Sequence, residues 1–400
     1  MESLSTTAST SIKNLVQTAR ELGPLISQHI NEEENNRRLS RTVFNALKDA
    51  GFFRMYLPKS LGGLEADPVS MAQVVEEVAQ HNAAAGWLLM VANTTSWWGG
   101  RLPERGIEEL YNNGPDTFIA GTFHPPMKAT LVEGGYLING RNPLFSNVHE
   151  AQWVFVTAFV MEQGQIKMNN GHPEIIGVYM KVQDCEIIDT WYTLGMRATD
   201  SNDVAAKDVF VPSHLVFPLV PEFQPGKHFH GLLYQFPAIG ACVACLLAPV
   251  ALGVARNAIN ELKALAQKKI QLGSTVSIRE RGVVQRKLGK AEGFVQSSRA
   301  FLYQVITDNW NKTLAGEKVP LEDKAGLLLA AAHTNQSCAK AVDLMYSAAG
   351  STAIYTHNKL EHFFADAQVI RQHGFMNDSR YETVAQVYFG LQPDLPVVAF

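Results

Sequence analysis

Hydrophobic positions follow a helical spacing at both ends of the chain. In the first part, Leu39, Val43 and Leu47 recur every four residues, which predicts an amphipathic helix that ends at Gly51. In the last part, apolar seams with alternating spacings of three and four cover residues 284–305 and 328–349. Such seams are typical of helices that pack against antiparallel partners in a bundle.

The middle of the chain has the pattern of a small β domain. Residues 132–140 predict a strand, a tight turn, a second strand and an Asn139-Gly140 turn. Residues 153–160 are apolar on both faces, as in a buried strand, and residues 175–182 and 206–211 continue the pattern. We therefore predict an α+β chain with three domains: an N-terminal helical domain (residues 1–116), a central β-barrel or sandwich domain (117–225) and a C-terminal four-helix bundle (226–400).

Composition and charge exclude several classes of protein. Hydrophobic residues make up 46% and charged residues 18% of the chain, which is an ordinary globular balance. The net charge of -4 gives no basic surface for nucleic acid or an anionic membrane. The longest apolar stretch, residues 236–254, is interrupted by Pro237 and Pro249, so no membrane span is predicted. The first residues lack the pattern of a secretion signal, and the 4 cysteines lie in apolar context, so a reducing cytoplasm is expected.

Motifs in five segments carry a resemblance to a known family. These segments are residues 47–63 (ending Lys-Ser-Leu-Gly-Gly), 134–147 (ending Leu-Phe-Ser-Asn), 194–212 (beginning Leu-Gly-Met-Arg), 348–355 and 360–373. Together and in this order, they resemble the acyl-CoA dehydrogenase superfamily over nearly the whole chain. The resemblance implies a flavin held between the β domain and the helical bundle, usually within a homotetramer.

The residues that match the family's catalytic base are not acids. A dehydrogenase of this family needs a carboxylate to remove the α-proton of a thioester. At one of the two places where relatives carry it, this chain has His373 and Gly374, and at the other, residues 241–259 contain no acid. With a histidine at this place, the chain resembles the two-component flavin-dependent monooxygenases. This subgroup acts on phenols, indoles, thiophenes or amino sugars.

The resemblance to this subgroup implies an oxygenase component. It would use reduced FMN or FADH2 and O2, through a C4a-hydroperoxyflavin, to oxygenate a small aromatic substrate, phenolic or indolic. Because His362 and Ala365 replace two arginines of the family, FMN or loosely held FAD is expected. The chain has no nicotinamide-binding glycine motif, so a separate NAD(P)H–flavin reductase is the expected partner. Two alternatives remain: an FAD-dependent acyl-CoA dehydrogenase with a displaced base, and a non-catalytic binding subunit.

Four residues match positions around the flavin ring and the substrate. Ser146 matches the residue that contacts flavin N5 in the subgroup, and His373 matches its active-site histidine. Thr122 matches a hydroxyl residue that faces the flavin or the substrate, and His124 is a candidate for the same pocket. Read from the residues alone, Ser146 could equally cap a strand, and either histidine could be structural or lie on the surface.

Five residues are candidates for holding the rest of the cofactor. Ser351 and Thr352 resemble the subgroup's contacts to the FMN phosphate, and Lys268 and Lys269 fall near the family's basic phosphate position. Ordinary helix capping and a solvated helix face explain the same residues. Arg197, in the Gly-Met-Arg motif, is either a cofactor contact or a structural residue.

Two sequence pairs concern the substrate and metal binding. Trp97 and Trp98 end the apolar helix that lines the substrate side in relatives, which predicts aromatic walls for a flat ring. A place in the core or in a subunit contact would explain them too. Cys242 and Cys245 are two residues apart in an apolar segment without a second such pair, so core packing and no metal site are predicted.

Overall fold

Helices occupy both ends of the chain. The computed structural model describes residues 2–169, 171–222, 224 and 226–400, of which residues 2–14 and 124–126 are described by their backbone only. Before the sheet come α1 (Glu2–Asn36), α2 (Arg41–Asp49), α3 (Pro68–His81), α4 (Ala83–Gly99) and α5 (Glu104–Leu110). After it come a π-helical segment (Gly240–Leu247), α6 (Ala248–Lys268), α7 (Gly282–Leu314), α8 (Leu321–Ala349), α9 (Lys359–Arg371) and α10 (Arg380–Tyr388).

A mixed sheet lies between the two helical parts. Its strands are β1 (Ile119–Val132), β2 (Gly135–Phe145), β3 (Trp153–Glu162), β4 (Gln165–Ile166), β7 (Ile175–Lys181), β8 (Glu186–Ile188), β9 (Asn202–Pro212) and β10 (Val216–Pro218). The order across the sheet is β10-β7-β3-β1-β2-β9-β8, with β4 beside β3, and β1 and β3 run parallel. A separate hairpin consists of β5 (Met168–Asn169) and β6 (His172–Pro173). Helices, strands and then helices confirm the predicted α+β class.

The prediction of a turn at Asn139-Gly140 is wrong. Both residues lie inside β2, where the register against β9 shifts between Ile138 and Gly140. The Asn139 side chain accepts a hydrogen bond from the backbone N–H of Asp208 at 2.9 Å and donates one to its carboxylate at 3.0 Å. The Asn-Gly pair therefore forms a bulge that bends the strand without ending it, and β2 continues to the residue before Ser146.

A buried carboxylate aligns two helices of the N-terminal part. Glu33 accepts hydrogen bonds from the hydroxyl of Ser40 at 2.7 Å and from the amide of Asn82 at 2.7 Å. Ser40 is the N-cap of α2 and Asn82 is the N-cap of α4. Burial raises the pKa of Glu33. The start of α4, which carries three tryptophans, is thereby fixed to α1.

The last helices form the predicted bundle. α7 packs against α8, and α6 and α9 pack against α8 and against each other. The segment Gly240–Lys268 is long and apolar enough to cross a membrane by length and composition alone, but 89% of its apolar window is buried inside the protein. It serves as a core helix of the bundle, in agreement with the sequence prediction.

A loop between β8 and β9 is held against α9 by one carboxyl group. Asp366, on α9, accepts a hydrogen bond from the backbone N–H of Met196 at 2.6 Å. The carbonyl of Met196 accepts further hydrogen bonds from the hydroxyl of Thr199 at 2.8 Å and from the indole of Trp191 at 3.0 Å. The Met196 residue is therefore fixed at both its N–H and its carbonyl.

The conformation of this loop depends on that support. Met196 and Asp200 have left-handed backbone conformations, with φ of 55° and 52°, which cost a non-glycine residue about 1–2 kcal/mol each. At Gly195, an added Cβ would lie 2.3 Å from the backbone of Ala365 on α9, so only glycine allows this approach. The loop and α9 thus form one unit.

Removing the Asp366 carboxyl should loosen this unit. We expect Asp366→Ala to lower the free energy of unfolding by about 1–3 kcal/mol, because the buried N–H of Met196 loses its acceptor. Asp366→Asn keeps an acceptor oxygen and should cost less. Urea unfolding of both variants measures the difference, and equal losses would contradict the role of this hydrogen bond.

Wild type and Asp366→Asn should also differ in how their stability depends on pH. Burial, and then the nearby Glu34, raise the pKa of Asp366 above its usual 3.8. The folded protein therefore keeps a proton that the unfolded chain releases, so the contribution of Asp366 to stability falls as the pH rises above that value. Wild type should lose stability relative to Asp366→Asn between about pH 5 and about pH 8. A constant difference over that range would show that the folded carboxyl is ionised throughout.

Candidate active site

Trp87 joins the two residues that the sequence places at the reaction centre. Its indole Nε1 donates a hydrogen bond to Oγ of Ser146 at 3.1 Å. The edge of the same indole contacts the ring of His373, with centroids 5.4 Å apart and an interplanar angle of 72°. Trp87 lies in α4, Ser146 follows β2 and His373 follows α9, so three elements meet here.

Ser146 begins a chain of hydroxyl groups. Its Oγ lies 2.8 Å from Oγ of Ser201, and that oxygen lies 2.6 Å from Oγ1 of Thr199. Thr199 in turn donates to the carbonyl of Met196 at 2.8 Å. Ser146 and Ser201 are each only 4% exposed. The chain therefore connects the candidate centre to the loop that Asp366 holds.

The direction of the protons in this chain follows from the number of donors. Each hydroxyl has one proton, and that of Thr199 is used for the Met196 carbonyl. Ser201 must then donate to Thr199, and Ser146 must donate to Ser201. Because one lone pair of Ser146 accepts from Trp87, the other remains to accept a hydrogen bond from a ligand.

Asn147 adds a buried polar group beside Ser146. It has a left-handed backbone with φ of 57°, and its side chain is 1% exposed. Its backbone N–H donates to the carbonyl of Thr199 at 2.7 Å. Both polar atoms of its side chain lack a hydrogen-bond partner among the described residues. Buried amides are normally satisfied, so this one points to a bound ligand or water.

The surroundings of His373 keep its ring neutral. The backbone N–H of Phe375 donates to Nδ1 at 3.3 Å, which makes Nδ1 an acceptor and leaves the proton of the neutral ring on Nε2. The ring of Phe375 packs against the imidazole at a centroid distance of 5.7 Å. Burial lowers the pKa of His373 to about 4. His373 can thus present an N–H group at neutral pH.

A row of aromatic rings leads away from His373. Phe375 contacts Phe123 at a centroid distance of 6.1 Å, and Phe123 contacts Trp98 at 5.4 Å. Trp98 then contacts Phe400 at 5.7 Å. Trp98 lies eleven positions after Trp87, which corresponds to about three helical turns, so both indoles lie on one face of α4.

The other predicted pocket residues have different surroundings. Trp97 packs against Tyr56 and Tyr234, at 5.4 and 5.5 Å, and borders a cavity of about 510 Å³ whose lining includes neither Ser146 nor His373. Thr122 is buried on β1, where the register against β3 shifts between residues 122 and 127. The side chain of His124 lies outside the described part of the chain.

Two of the residues predicted at the phosphate do meet. The Lys269 ammonium contacts the hydroxyl of Thr352 and the carbonyl of Ala349, and burial lowers its pKa. Lys268 and Ser351 are exposed. Lys269 and Thr352 thus place a cation beside a hydroxyl at the C-terminal end of α8.

This pair lies far from the reaction centre within one chain. Asn335, on α8, donates to the carbonyl of Met376 near His373 at 3.0 Å. From Asn335 to Ala349, α8 continues for 14 residues, a distance of about 21 Å. Arg197, also predicted to contact the cofactor, forms an ion pair with Glu34 of α1 at 2.9 Å.

Sequence reasoning missed Trp87, Ser201 and Phe375. The helical spacing of Trp87 and Trp98 was a usable signal, since it places both on one face of α4. Phe375 stands two residues after His373 and could have been considered with it. Ser201 lies within the motif at residues 194–212, but that motif does not indicate its contact with Ser146, which joins residues 55 apart.

Comparisons with known proteins show which family the chain belongs to. Two family models match: Acyl-CoA dehydrogenase, N-terminal domain, over residues 12–100, and Acyl-CoA dehydrogenase, C-terminal domain, over residues 245–378. Indole-3-acetate monooxygenase of Pseudomonas putida is 31% identical over 365 residues, which is 91% of this chain and 90% of that protein.

Solved structures share the fold. 3-HSA hydroxylase from Rhodococcus sp. RHA1 aligns with a TM-score of 0.88 and 23% identity, over 96% of this chain and 98% of that chain. TdsC from Paenibacillus sp. A11-2, solved with FMN and indole, aligns with a TM-score of 0.77 and 18% identity, over 97% of this chain and 100% of that chain.

The chain therefore belongs to the acyl-CoA dehydrogenase family and, within it, to the flavin-dependent monooxygenases. The prediction of a reduced-flavin-dependent oxygenase is confirmed over the alternatives of an acyl-CoA dehydrogenase and a non-catalytic subunit.

The protonation of His373 is open to direct measurement. Because its pKa is lowered, the imidazole should stay neutral, with the proton on Nε2, from about pH 8 down to about pH 5. The unfolded chain takes up a proton below about pH 6.5 and the folded protein does not, so this residue costs stability as the pH falls from there toward 4. Long-range ¹H–¹⁵N NMR, with His373→Gln to assign the signal, measures both properties. A midpoint near 6.5 would contradict the burial argument.

Proposed function

We propose that Trp87, Ser146 and His373 form the reaction centre at which this oxygenase acts on a small aromatic substrate. The observation that supports the proposal is the position of Trp87, which bonds to Ser146 and contacts His373 with one indole. Reduced flavin, when bound, supplies the electrons that activate O2. The residues described above fit such a cofactor, because Ser146 can accept an N–H and Asn147 has an unsatisfied buried amide.

Each residue then has a distinct task. Ser146 accepts a hydrogen bond from an N–H of the cofactor and is held for this by Trp87 and Ser201. His373 keeps its proton at Nε2 and can donate a hydrogen bond from there to a polar atom of the substrate. The rings of Phe123 and Phe375 keep water away from this N–H, which limits loss of electrons to H2O2.

The aromatic row favours a flat substrate. The rings in this row pack edge-on, with centroids 5.4 and 6.1 Å apart, and can bury a flat indole or phenol. Contacts between aromatic rings in such geometry are more favourable than the burial of their apolar area alone. The Pseudomonas putida relative acts on indole-3-acetate, and indole is bound in the TdsC structure. We therefore propose an indolic substrate first and a phenolic one second.

The protein partners follow from the family. We propose a separate NAD(P)H–flavin reductase as the source of reduced flavin, a homotetramer as the working assembly and the cytoplasm as the compartment. Since Lys269 and Thr352 lie about 21 Å along α8 from the reaction centre, they would contact the phosphate of a flavin whose ring is bound by another copy of the chain.

Variants of the three central residues test the reaction. With photoreduced FMN, O2 and indole-3-acetate, we expect His373→Ala to lower product formation by about 100-fold, a usual factor for the loss of one hydrogen-bond donor at a reacting group. Ser146→Ala should shift electrons from product to H2O2 several-fold. Trp87→Phe, which keeps a ring and loses the N–H, should do the same to a smaller extent.

The control is His172→Gln, at an exposed histidine of β6, which should leave the product yield unchanged. Measured together, product and H2O2 account for all flavin oxidised. Unchanged yields in His373→Ala and Ser146→Ala would refute the proposed centre. Reduction of bound flavin by an acyl-CoA would refute the oxygenase reaction itself.

The phosphate site has its own test. Lys269→Gln and Thr352→Val should each weaken binding of reduced FMN about tenfold, the factor for one charge-assisted hydrogen bond. If the site serves a second copy, mixing Lys269→Gln with Ser146→Ala and allowing subunits to exchange should restore part of the activity. No restoration, with exchange verified by mass spectrometry, would contradict a shared site.

A further inference from the structure

Ser146 lies in a turn that begins where the pairing of the strands ends. The register of β2 against β9 ends at Phe145 and Asn202, one residue before Ser146. Residues 146–150, here called the Ser146 turn, follow outside the strands. Because the ladder of the sheet does not hold this segment, the position of the Ser146 hydroxyl depends on single hydrogen bonds beyond the ladder.

Hydrogen bonds join the Ser146 turn to the loop between β8 and β9 at three places. Two of them, from the hydroxyl of Ser146 to Ser201 and from the backbone N–H of Asn147, lie at the start of the turn. The third lies near its end, where Nδ1 of His149 is 2.8 and 3.0 Å from the two carboxylate oxygens of Asp200. The backbone N–H of His149 donates to the same carboxylate at 3.4 Å.

Asp200 depends on donors because its carboxylate is buried. The residue is 2% exposed and has the left-handed backbone noted above. The amide of Asn202 donates to Oδ1 at 2.8 Å, and Nε of Arg38 lies 3.5 Å from Oδ2. A buried carboxylate is unfavourable unless such donors satisfy it. The imidazole of His149 therefore helps to keep Asp200, and the loop that carries it, in place.

The contact fixes the tautomer of His149. A carboxylate only accepts hydrogen bonds, so the hydrogen of a neutral imidazole lies on Nδ1. The side chain of His149 is 33% exposed, whereas that of Asp200 is 3% exposed. His149 can therefore be replaced without opening the core, and its replacement removes one link between the turn and the loop.

We propose that His149 and Asp200 are positioning residues for Ser146. Asp200 directly precedes Ser201, and His149 follows Ser146 by three residues, so one contact holds both partners of the hydroxyl bond. The proposal deepens the proposed function and rests on it. By keeping the open side of Ser146 toward the cofactor, the pair limits the loss of electrons to H2O2.

Hydrogen exchange tests the positioning without flavin. In His149→Ala, the backbone N–H groups of residues 147–150 should exchange about tenfold faster, because the turn opens more often when one hydrogen bond to a carboxylate is lost. Mass spectrometry of peptides from this segment measures the rate. If thermal unfolding shows that His149→Ala disturbs the fold, His149→Leu, which keeps the volume and has no donor, takes its place. Unchanged exchange would overturn the proposal.

The yields of product and H2O2 test the consequence for the reaction. With photoreduced FMN, O2 and indole-3-acetate, His149→Ala should raise the share of H2O2 several-fold, as expected for Ser146→Ala. His149→Asn should restore most of the product, because asparagine carries its amide nitrogen where the imidazole carries Nδ1. If Nε2 took part in the reaction itself, His149→Asn would fail as badly as His149→Ala, and that result would contradict a positioning role.

A double variant shows whether His149 acts through Ser146. Ser146→Ala combined with His149→Ala should lose no more product than Ser146→Ala alone, since the hydroxyl to be positioned is already absent. Losses that multiply would mean that His149 acts independently. The matched control is Glu150→Gln, because Glu150 lies in the same turn but pairs with Arg41 of α2, at 3.2 Å. It should leave the share of H2O2 unchanged.

The outcome can be separated from that of the proposed function. If Ser146→Ala leaves the share of H2O2 unchanged, the proposed function is wrong at Ser146, and hydrogen exchange still decides whether the pair holds the turn. If Ser146→Ala raises that share and His149→Ala does not, the positioning proposal is wrong and the reaction centre stands.

Discussion

The hydrogen bond from the N–H of Met196 to the carboxyl of Asp366 is the constraint on which the site depends. It fixes a loop with two left-handed residues against α9. That loop carries Thr199 and Ser201, and α9 leads directly to His373. The hydroxyl chain and the imidazole are therefore positioned by the same contact, although they lie on different elements. Trp87 then contacts both groups, the hydroxyl of Ser146 and the ring of His373.

The fold could be predicted because its signals are long and agree with one another. The apolar seams of residues 284–305 and 328–349 lie in α7 and α8, where burial repeats at every turn. The failure at Asn139-Gly140 has the opposite cause. A two-residue turn signal is local, and pairing of β2 with β9 outweighs it because the Asn139 side chain bonds to Asp208.

The candidate site could be predicted only in part. Ser146 and His373 could be proposed because each stands in a motif, whereas the contacts of Trp87 and Ser201 with Ser146 join segments far apart in the chain. Lys269 and Thr352 show the limit of motif matching. They do lie in contact, but sequence alone could not tell that most of α8 separates them from the surroundings of His373.

Because every proton in the hydroxyl chain points away from the open side of Ser146, this oxygen can only receive a hydrogen bond there. A ring nitrogen that carries a hydrogen can donate to this oxygen, whereas the lone pair of a ring nitrogen without hydrogen would face another lone pair and be repelled. Reduced and oxidised flavin differ in that respect at N5. At the proposed site, the three hydroxyls would therefore bind reduced flavin more tightly than oxidised flavin, which suits the proposed supply of reduced flavin by a separate reductase.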